Sequence, residues 1–181
     1  MWRIDSLKTR YPNKDQSRIY VQRPFYLAIF FLLISLVIFS YNVEASKSIS
    51  CFFSQGPALP LVLLTEVGNG LVAIIIILGL GKNIPQRLFV LFLLSLTVQL
   101  LKHNFDIPRP ASYLERSCIT GQIYTQHSFP SGHAAISFFI ALTFLEGGKA
   151  ARYLSLLFFL AGFSRVFVGA HFLLDVTASG F

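Results

Sequence analysis

The sequence predicts an all-α integral membrane protein, a bundle of six transmembrane helices whose sixth helix is incomplete in this chain. Hydrophobic residues make up 54% of the 181 residues, and only 13% are charged, whereas a soluble domain carries about 25% charged residues. The apolar residues fall in long runs, and about 20 of them in a row cross a bilayer. We therefore exclude an ordinary cytosolic enzyme, a disordered chain and a disulfide-stapled miniprotein, and we predict a single membrane domain over residues 1–181.

The predicted spans follow the apolar runs. The first five cover residues 24–43, residues 59–80 with Glu66 as the only charge, residues 86–102 after a helix start at Pro85, residues 131–145, and a run that ends near Val168. A sixth segment from about Ala170 to Phe181 would be too short, at about 1.5 Å per residue, for a core of about 30 Å. We expect either a truncated chain or a half-span shielded by its neighbours.

Charge predicts the orientation, because Lys and Arg gather in cytoplasmic loops. If the basic tail of residues 1–23 lies in the cytoplasm, most cations are inside: Arg3, Lys8, Arg10, Lys14, Arg18, Arg23, Lys82, Arg87, Lys149 and Arg152. The outer face then carries Lys47, Lys102, Arg109, Arg116 and Arg165. The net charge of +7 is thus explained by topology, and we expect no nucleic-acid partner. The polar loop over residues 103–130 is expected outside the membrane.

Cys51 and Cys118 are the only cysteines, and both fall in predicted outer loops. The oxidising exterior permits a disulfide between them. Two free thiols are the alternative, because two loop positions need not meet. Neither the number nor the spacing of the cysteines predicts a metal site.

The first of three polar clusters on the predicted outer face contains Lys102 and Arg109, which flank a segment held by Pro108 and Pro110. Two fixed cations suit an oxyanion, and Arg grips phosphate in bidentate fashion. The alternative is that Lys102, at a helix end, only reaches for lipid headgroups.

The second cluster opens the fourth span. Ser131 is a good N-cap, and the first backbone N–H groups of a helix bind anions. Gly132 would let a substrate approach the backbone, and His133 follows in the first turn. A simple helix cap with an interfacial histidine is the alternative interpretation.

The third cluster joins the fifth and sixth segments. His171 and Asp175 are spaced one helical turn apart, so that the carboxylate can hold one ring nitrogen and fix the tautomer. The other nitrogen is then free to act as a nucleophile. Arg165 would supply a third cation for a phosphate. The alternative is a buried polar pair that joins two spans.

In this order, the three clusters resemble the signature of the type-2 phosphatidic acid phosphatase superfamily, which reads Lys-x6-Arg-Pro, Pro-Ser-Gly-His and Ser-Arg-x5-His-x3-Asp. The matching positions are Lys102 with Arg109 and Pro110; Pro130, Ser131, Gly132 and His133; and Ser164, Arg165, His171 and Asp175. The resemblance implies a six-helix bundle with an outer-surface site. It also implies hydrolysis of a lipid phosphate monoester or pyrophosphate without a metal or other cofactor. The family has a full sixth span, which this chain lacks.

The resemblance also implies roles by position. His171 would be the nucleophile that forms a phosphohistidine, Asp175 its orienting partner and His133 the general acid. The implied phosphate cradle consists of Lys102, Arg109, Ser131, Gly132 and Arg165. Two further histidines, His103 and His127, match no motif and are expected to be loop or interfacial residues. Glu66 is expected either to line the site or to make a polar contact in the bundle.

The sequence is also compatible with other functions. A metal hydrolase would use His127, His133, His171 and Asp175, although the nearby cations would repel a metal. A phosphotransferase would pass the phosphate to another lipid. A vanadate-dependent haloperoxidase is disfavoured by the spans, and a non-catalytic lipid-binding or transport relative by the complete motifs.

The expected partners are a lipid phosphate substrate and the bilayer, and the oligomeric state is not predicted. Substrate candidates by family are undecaprenyl pyrophosphate, lipid A 1-phosphate, phosphatidylglycerol phosphate and phosphatidic acid. The expected location is a bacterial inner (cytoplasmic) membrane, crossed several times. The N-terminus would be cytoplasmic and the active site would face the periplasm or cell exterior.

Overall fold

The computed structural model describes residue 26 and residues 28–37, 41–120, 123–145 and 147–180. Within these residues the regular elements are helical, which confirms the all-α prediction. The helices are α1 (Ala28–Val37), α2 (Asn42–Ser54), α3 (Ala58–Glu66), α4 (Gly70–Leu80), α5 (Ile84–Phe105), α6 (Gly132–Leu145), α7 (Lys149–Phe167) and α8 (Leu173–Thr177). Short 3₁₀ helices lie at Pro110–Ser112, Arg116–Cys118 and Ala178–Gly180. The predicted basic tail, residues 1–23, lies outside the described residues.

Two segments of the described chain are each long and apolar enough to cross a membrane, namely Ile84–Ser112 and Lys149–Phe167. The pairs α1–α2 and α3–α4 add two more candidates only if each bent pair counts as one span. The described residues therefore contain two to four candidate spans by length and composition, as expected of a membrane protein.

The first two predicted spans need correction. Residues 59–80 do not form one helix, because α3 and α4 meet at a 60° bend around residues 67–69. In the run 24–43, α1 is described from Ala28 to Val37, and Asn42 and Val43 belong to α2, which extends to Ser54 through residues assigned to the outer loop. An apolar composition indicates a segment that is buried in the membrane, but it does not show where a helix ends and the next one takes a different direction.

The third and fifth predicted spans coincide with α5 and α7, which are long enough to cross a membrane. The fourth coincides with α6, an apolar helix of 14 residues that is too short to count as a candidate span. Pro85 lies in the first turn of α5, where a missing N–H costs nothing. Helix α6 packs at the centre of the described bundle. It shares one buried cluster with α4, α5 and α7 through Ile140 and Phe158, and another with α1 and α8 through Phe138 and Val176. These contacts hold the start of α6 and the end of α7 together.

The sixth predicted segment is a short buried helix, α8, followed by a 3₁₀ turn. Two backbone N–H groups at the start of α8 donate to side chains of α2: Leu173 to Ser46 Oγ and Leu174 to Asn42 Oδ1, each at 2.8 Å. The hydroxyl of Ser35 in α1 donates to Thr177 Oγ1 at 2.9 Å. These bonds satisfy polar groups of a short buried helix and fix the position of Asp175.

Candidate active site

A cavity of about 350 Å³ brings the three sequence clusters together. It is lined by Lys102 and Arg109 from the first cluster, Gly132 and His133 from the second, and Arg165 and His171 from the third. Helix α5 ends, α6 begins and α7 ends at this cavity, which explains how distant segments meet. Several unpredicted residues complete the lining, among them Gly68, Asn69, Gly70, Gln99 and Tyr124.

Asp175 is the hydrogen-bonding centre beneath His171. Both side chains are buried, and Asp175 Oδ2 lies 3.5 Å from His171 Nδ1. The same carboxylate oxygen accepts hydrogen bonds from the hydroxyl of Ser128 and from the backbone N–H of Phe172. At this distance Nδ1 makes no hydrogen bond that meets ordinary geometry, and it is buried without a hydrogen-bond partner among the described residues. The two donors hold the carboxylate in place. Asp175 is thus an oriented acceptor beside one nitrogen of His171.

The other nitrogen of His171, Nε2, faces Arg109. Nη1 of Arg109 lies 3.3 Å from Nε2 and 3.4 Å from the carbonyl of Ala170, and its Nε donates to the carbonyl of Gln126 at 2.9 Å. A guanidinium has only donors, so Nε2 presents its lone pair and the ring proton lies on Nδ1, toward Asp175. This is the tautomer that a nucleophilic Nε2 requires.

His171 lies in the turn between α7 and α8, outside every candidate span. Burial lowers the pKa of its imidazole to about 3; the Asp175 carboxylate opposes this shift, and Arg109 and Arg165 add to it. The ring is therefore uncharged at neutral pH, as a nucleophile must be.

Two further cations border the cavity. Lys102 Nζ donates to the carbonyl of His127 at 2.6 Å, and Arg165 Nη1 donates to Thr65 Oγ1 at 2.7 Å. Arg165 is only 8% exposed, and its Nε is buried without a hydrogen-bond partner among the described residues. A buried donor left unpaired is costly. Three cations border one cavity, and the Nε–H of Arg165 has no hydrogen-bond acceptor among the described residues. This arrangement suits a doubly charged phosphate.

Ser131 is placed differently from the other predicted site residues. Its hydroxyl accepts from the N–H of Ala134 at 3.4 Å and so caps α6, while its own N–H donates to Ser179 Oγ at 3.0 Å and to the carbonyl of Asp175 at 3.2 Å. It is fully buried, and the adjoining Gly132 and His133 line the cavity instead. A phosphate contact by Ser131 stays a prediction; the observed contacts tie α6 to α8.

Sequence reasoning gave no role to Ser128, Thr65, Asn69 or Tyr124. Ser128 lies inside the second cluster but carries no motif signal. The sequence Gly68-Asn69-Gly70, unusual inside an apolar run, was the available sign of the α3–α4 break. A Cβ on Gly68 would lie 2.6 Å from the carbonyl oxygen of His133, so glycine is needed where this break packs on α6. Asn69 Oδ1 caps α4 by accepting from the N–H of Leu71 at 2.9 Å.

The remaining histidines, His103 and His127, do not line the cavity. His127 Nδ1 is 3.1 Å from Asp106 Oδ1, and the ring of His103 is 5.6 Å from that of His127. Within the part of the chain that is described, no three His, Cys, Asp or Glu side chains are grouped to hold a metal ion. The ligand set considered for a metal hydrolase, which includes His127, His133, His171 and Asp175, is therefore not assembled.

The structure joins Cys51 of α2 and Cys118 in a disulfide. The segment after Cys118 packs on the turn that precedes His171, because the N–H of Thr120 donates to the carbonyl of Val168 at 3.0 Å. Gly169 in this turn has φ +69°, and a Cβ there would lie 2.9 Å from the carbonyl oxygen of Cys118. The disulfide thus anchors a loop that supports the backbone of His171.

An apolar groove of about 480 Å³ adjoins the cavity between α4 and α5. Its walls include Leu71, Ile74, Leu88 and Phe92, and it shares Asn69 and Gly70 with the cavity. A hydrocarbon chain in this groove would therefore lie next to the polar site.

Comparisons with known proteins agree with this geometry. Residues 86–181, more than half of the chain and all three clusters, match the model of the PAP2 superfamily. The crystal structure of Aquifex aeolicus LpxE is similar, with a TM-score of 0.64 and 27% sequence identity over 77% of this chain and 88% of that chain. No curated protein matches.

Proposed function

This chain belongs to the PAP2 superfamily, and on that premise we propose that it is a membrane lipid phosphatase that hydrolyses a phosphate monoester or pyrophosphate of a lipid. The observation that carries the proposal is the single cavity that collects His171, His133 and the cations Lys102, Arg109 and Arg165. The likeness to LpxE supports the same class of enzyme. The adjoining apolar groove supports a substrate with a hydrocarbon chain.

In the first proposed step, Nε2 of His171 attacks the phosphorus atom. An N–P bond forms and the bond from phosphorus to the lipid oxygen breaks, while His133, protonated when the anionic phosphate is bound beside it, gives its proton to the departing oxygen. Asp175 stabilises the charge that develops on the imidazole. The three cations and the N-terminus of α6 spread the negative charge of the transition state.

In the second step, water attacks the phosphohistidine. His133, now neutral, takes a proton from the water, the N–P bond breaks and inorganic phosphate leaves. The products are the dephosphorylated lipid and phosphate, and both histidines return to their starting states. Proton transfer by a placed histidine contributes roughly 100- to 10,000-fold to such a rate. Because the cations of the chain neutralise the phosphate, we expect turnover without a metal ion.

The proposed location is a bacterial inner membrane with the site at its outer face, and the proposed architecture is the six-helix bundle of the family. Substrate candidates are undecaprenyl pyrophosphate, lipid A 1-phosphate, phosphatidylglycerol phosphate and phosphatidic acid. The charge distribution along the chain supports this orientation.

The test is phosphate release from these lipids by the detergent-solubilised protein with a chelator present. His171→Ala should release no phosphate, while His103→Ala, which changes an exposed histidine outside the cavity, should release it at the wild-type rate. Failure of the wild type to release phosphate from any lipid would contradict hydrolysis. Appearance of the phosphate on an added acceptor lipid would instead indicate a phosphotransferase.

A further inference from the structure

A second cavity of about 380 Å³ adjoins the catalytic one. The two share Asn69, Tyr124, His133 and Arg165. The second cavity is also lined by Thr65, Glu66 and Thr120, but His171 lines only the first. The second cavity, called here the leaving-group chamber, therefore meets the general acid without meeting the nucleophile.

In-line displacement at phosphorus places the leaving oxygen opposite the attacking atom. With the phosphate in the catalytic cavity and Nε2 of His171 as the attacking atom, the leaving oxygen lies away from His171. It must also come within hydrogen-bond reach of its acid, His133. The leaving-group chamber meets the second condition, because His133 forms part of its wall, and it fits the first in that His171 does not line it.

Glu66 gives the chamber a chemical preference. It ends α3 at the bend, its side chain is exposed, and its Oε2 accepts from Asn69 Nδ2 at 3.5 Å. Asn69 lines the chamber, the catalytic cavity and the apolar groove, so this pair lies where headgroup and hydrocarbon chain of a lipid would join. An ionised carboxylate accepts hydrogen bonds from hydroxyl groups and repels a second phosphate.

We propose that the leaving-group chamber receives the departing alcohol of the substrate and that Glu66 accepts a hydrogen bond from a further hydroxyl group on that alcohol. The enzyme then favours a phosphate monoester of a hydroxylated headgroup, of sugar or glycerol type, over an isoprenoid pyrophosphate, whose leaving group is itself a phosphate. This inference rests on the proposed phosphatase function and narrows its substrate class.

The experiment compares kcat/KM for three detergent-dispersed substrates. In phosphatidylglycerol phosphate, the leaving alcohol has a free hydroxyl next to the ester. Phosphatidic acid is a monoester whose leaving alcohol has no free hydroxyl. In farnesyl pyrophosphate, the leaving group is farnesyl monophosphate. Glu66→Leu should lower the ratio of phosphatidylglycerol phosphate to phosphatidic acid roughly tenfold or more, since it removes a charged acceptor. Glu66→Gln, which removes only the charge, should raise kcat/KM for farnesyl pyrophosphate.

The control is Glu115→Gln, a neutralised acid of the predicted outer loop that lines neither cavity, and it should leave all three values unchanged. If Glu66→Leu keeps the wild-type ratio within twofold while the wild type is active, the role of Glu66 is wrong and the phosphatase function stands. A wild type that prefers farnesyl pyrophosphate would also overturn the inference. A wild type inactive on all three lipids and on lipid A 1-phosphate would overturn the proposed function together with it.

Discussion

Nη1 of Arg109 lies 3.3 Å from Nε2 of His171. The same guanidinium is held by the carbonyls of Gln126 and Ala170, so its position does not depend on a bound substrate. Because a guanidinium offers only donors, the contact favours an unprotonated Nε2, and it places a fixed cation next to the atom that we propose attacks the phosphate. Arg109 is thus placed both to favour one tautomer of His171 and to bind the phosphate that we propose His171 attacks.

Arg109→Lys should lower kcat/KM roughly 100-fold, the usual effect of losing a preorganised donor at a developing charge. Lysine keeps the charge but lacks the planar fork that reaches Gln126, Ala170 and His171 at once. The measurement is phosphate release from the best lipid substrate. Lys102→Arg is the matched comparison at the other cation, and a fully active Arg109→Lys would show that charge alone is required.

Asp175→Asn should lower kcat roughly 10³- to 10⁴-fold, because the amide cannot stabilise an imidazolium and can hold the wrong tautomer. Ser128→Ala removes one of the two donors that hold the carboxylate and should cost roughly 10- to 100-fold, the range for residues that orient a functional group. Steady-state kinetics on both variants tests whether Asp175→Asn loses more activity than Ser128→Ala, and thermal unfolding verifies that both variants are folded. A larger loss in Ser128→Ala than in Asp175→Asn would contradict the assigned roles.

Reducing the Cys51–Cys118 disulfide should lower the free energy of unfolding by about 2–4 kcal/mol, since the bond closes a long loop with a sequence separation of 67. Activity should fall as well, because the anchored loop supports the turn before His171. The measurement is Tm and phosphate release with and without dithiothreitol. The double variant Cys51→Ser/Cys118→Ser should match the reduced protein and show no further response to the reductant.

Gly169→Ala should destabilise the protein by roughly 1–3 kcal/mol, because a non-glycine residue is strained at positive φ and the new Cβ would lie 2.9 Å from the carbonyl oxygen of Cys118. Gly79→Ala is the control. Gly79 lies inside α4 with open space around its missing Cβ, so alanine should be neutral or stabilise by up to about 1 kcal/mol. Thermal unfolding in detergent measures both, and equal Tm changes would contradict the strain argument.

The sequence predicted α5, α6 and α7 well because each combines an apolar run with a local start signal, such as Pro85 or Ser131. It also predicted residues that line one cavity, namely Lys102, Arg109, Gly132, His133, Arg165 and His171, because the motifs place them near helix ends. The predicted cradle residue Ser131 does not line this cavity. These predictions required only the apolar runs, the spacing of the motif residues and the preference of Lys and Arg for cytoplasmic loops.

Other features depend on contacts between distant segments, which apolar periodicity does not encode. The bend at residues 67–69 exists because Gly68 packs against the start of α6, and the short α8 persists because Ser46 and Asn42 satisfy its N–H groups. Ser128 joins the site only once the chain brings it to Asp175. The helix cap at Ser131 was predicted, but the hydrogen bonds from its backbone N–H to Ser179 Oγ and to the Asp175 carbonyl were not.

The central claim is that His171 carries the phosphoryl group, and trapping that group tests it most directly. Rapid quenching of the wild type during turnover of a ³²P-labelled lipid phosphate should yield a protein-bound label that is acid-labile and base-stable, located on His171. The label and phosphate release should both be absent in a folded His171→Ala protein. Phosphate release by His171→Ala at a near-normal rate, or a trapped label on another residue, would contradict the account.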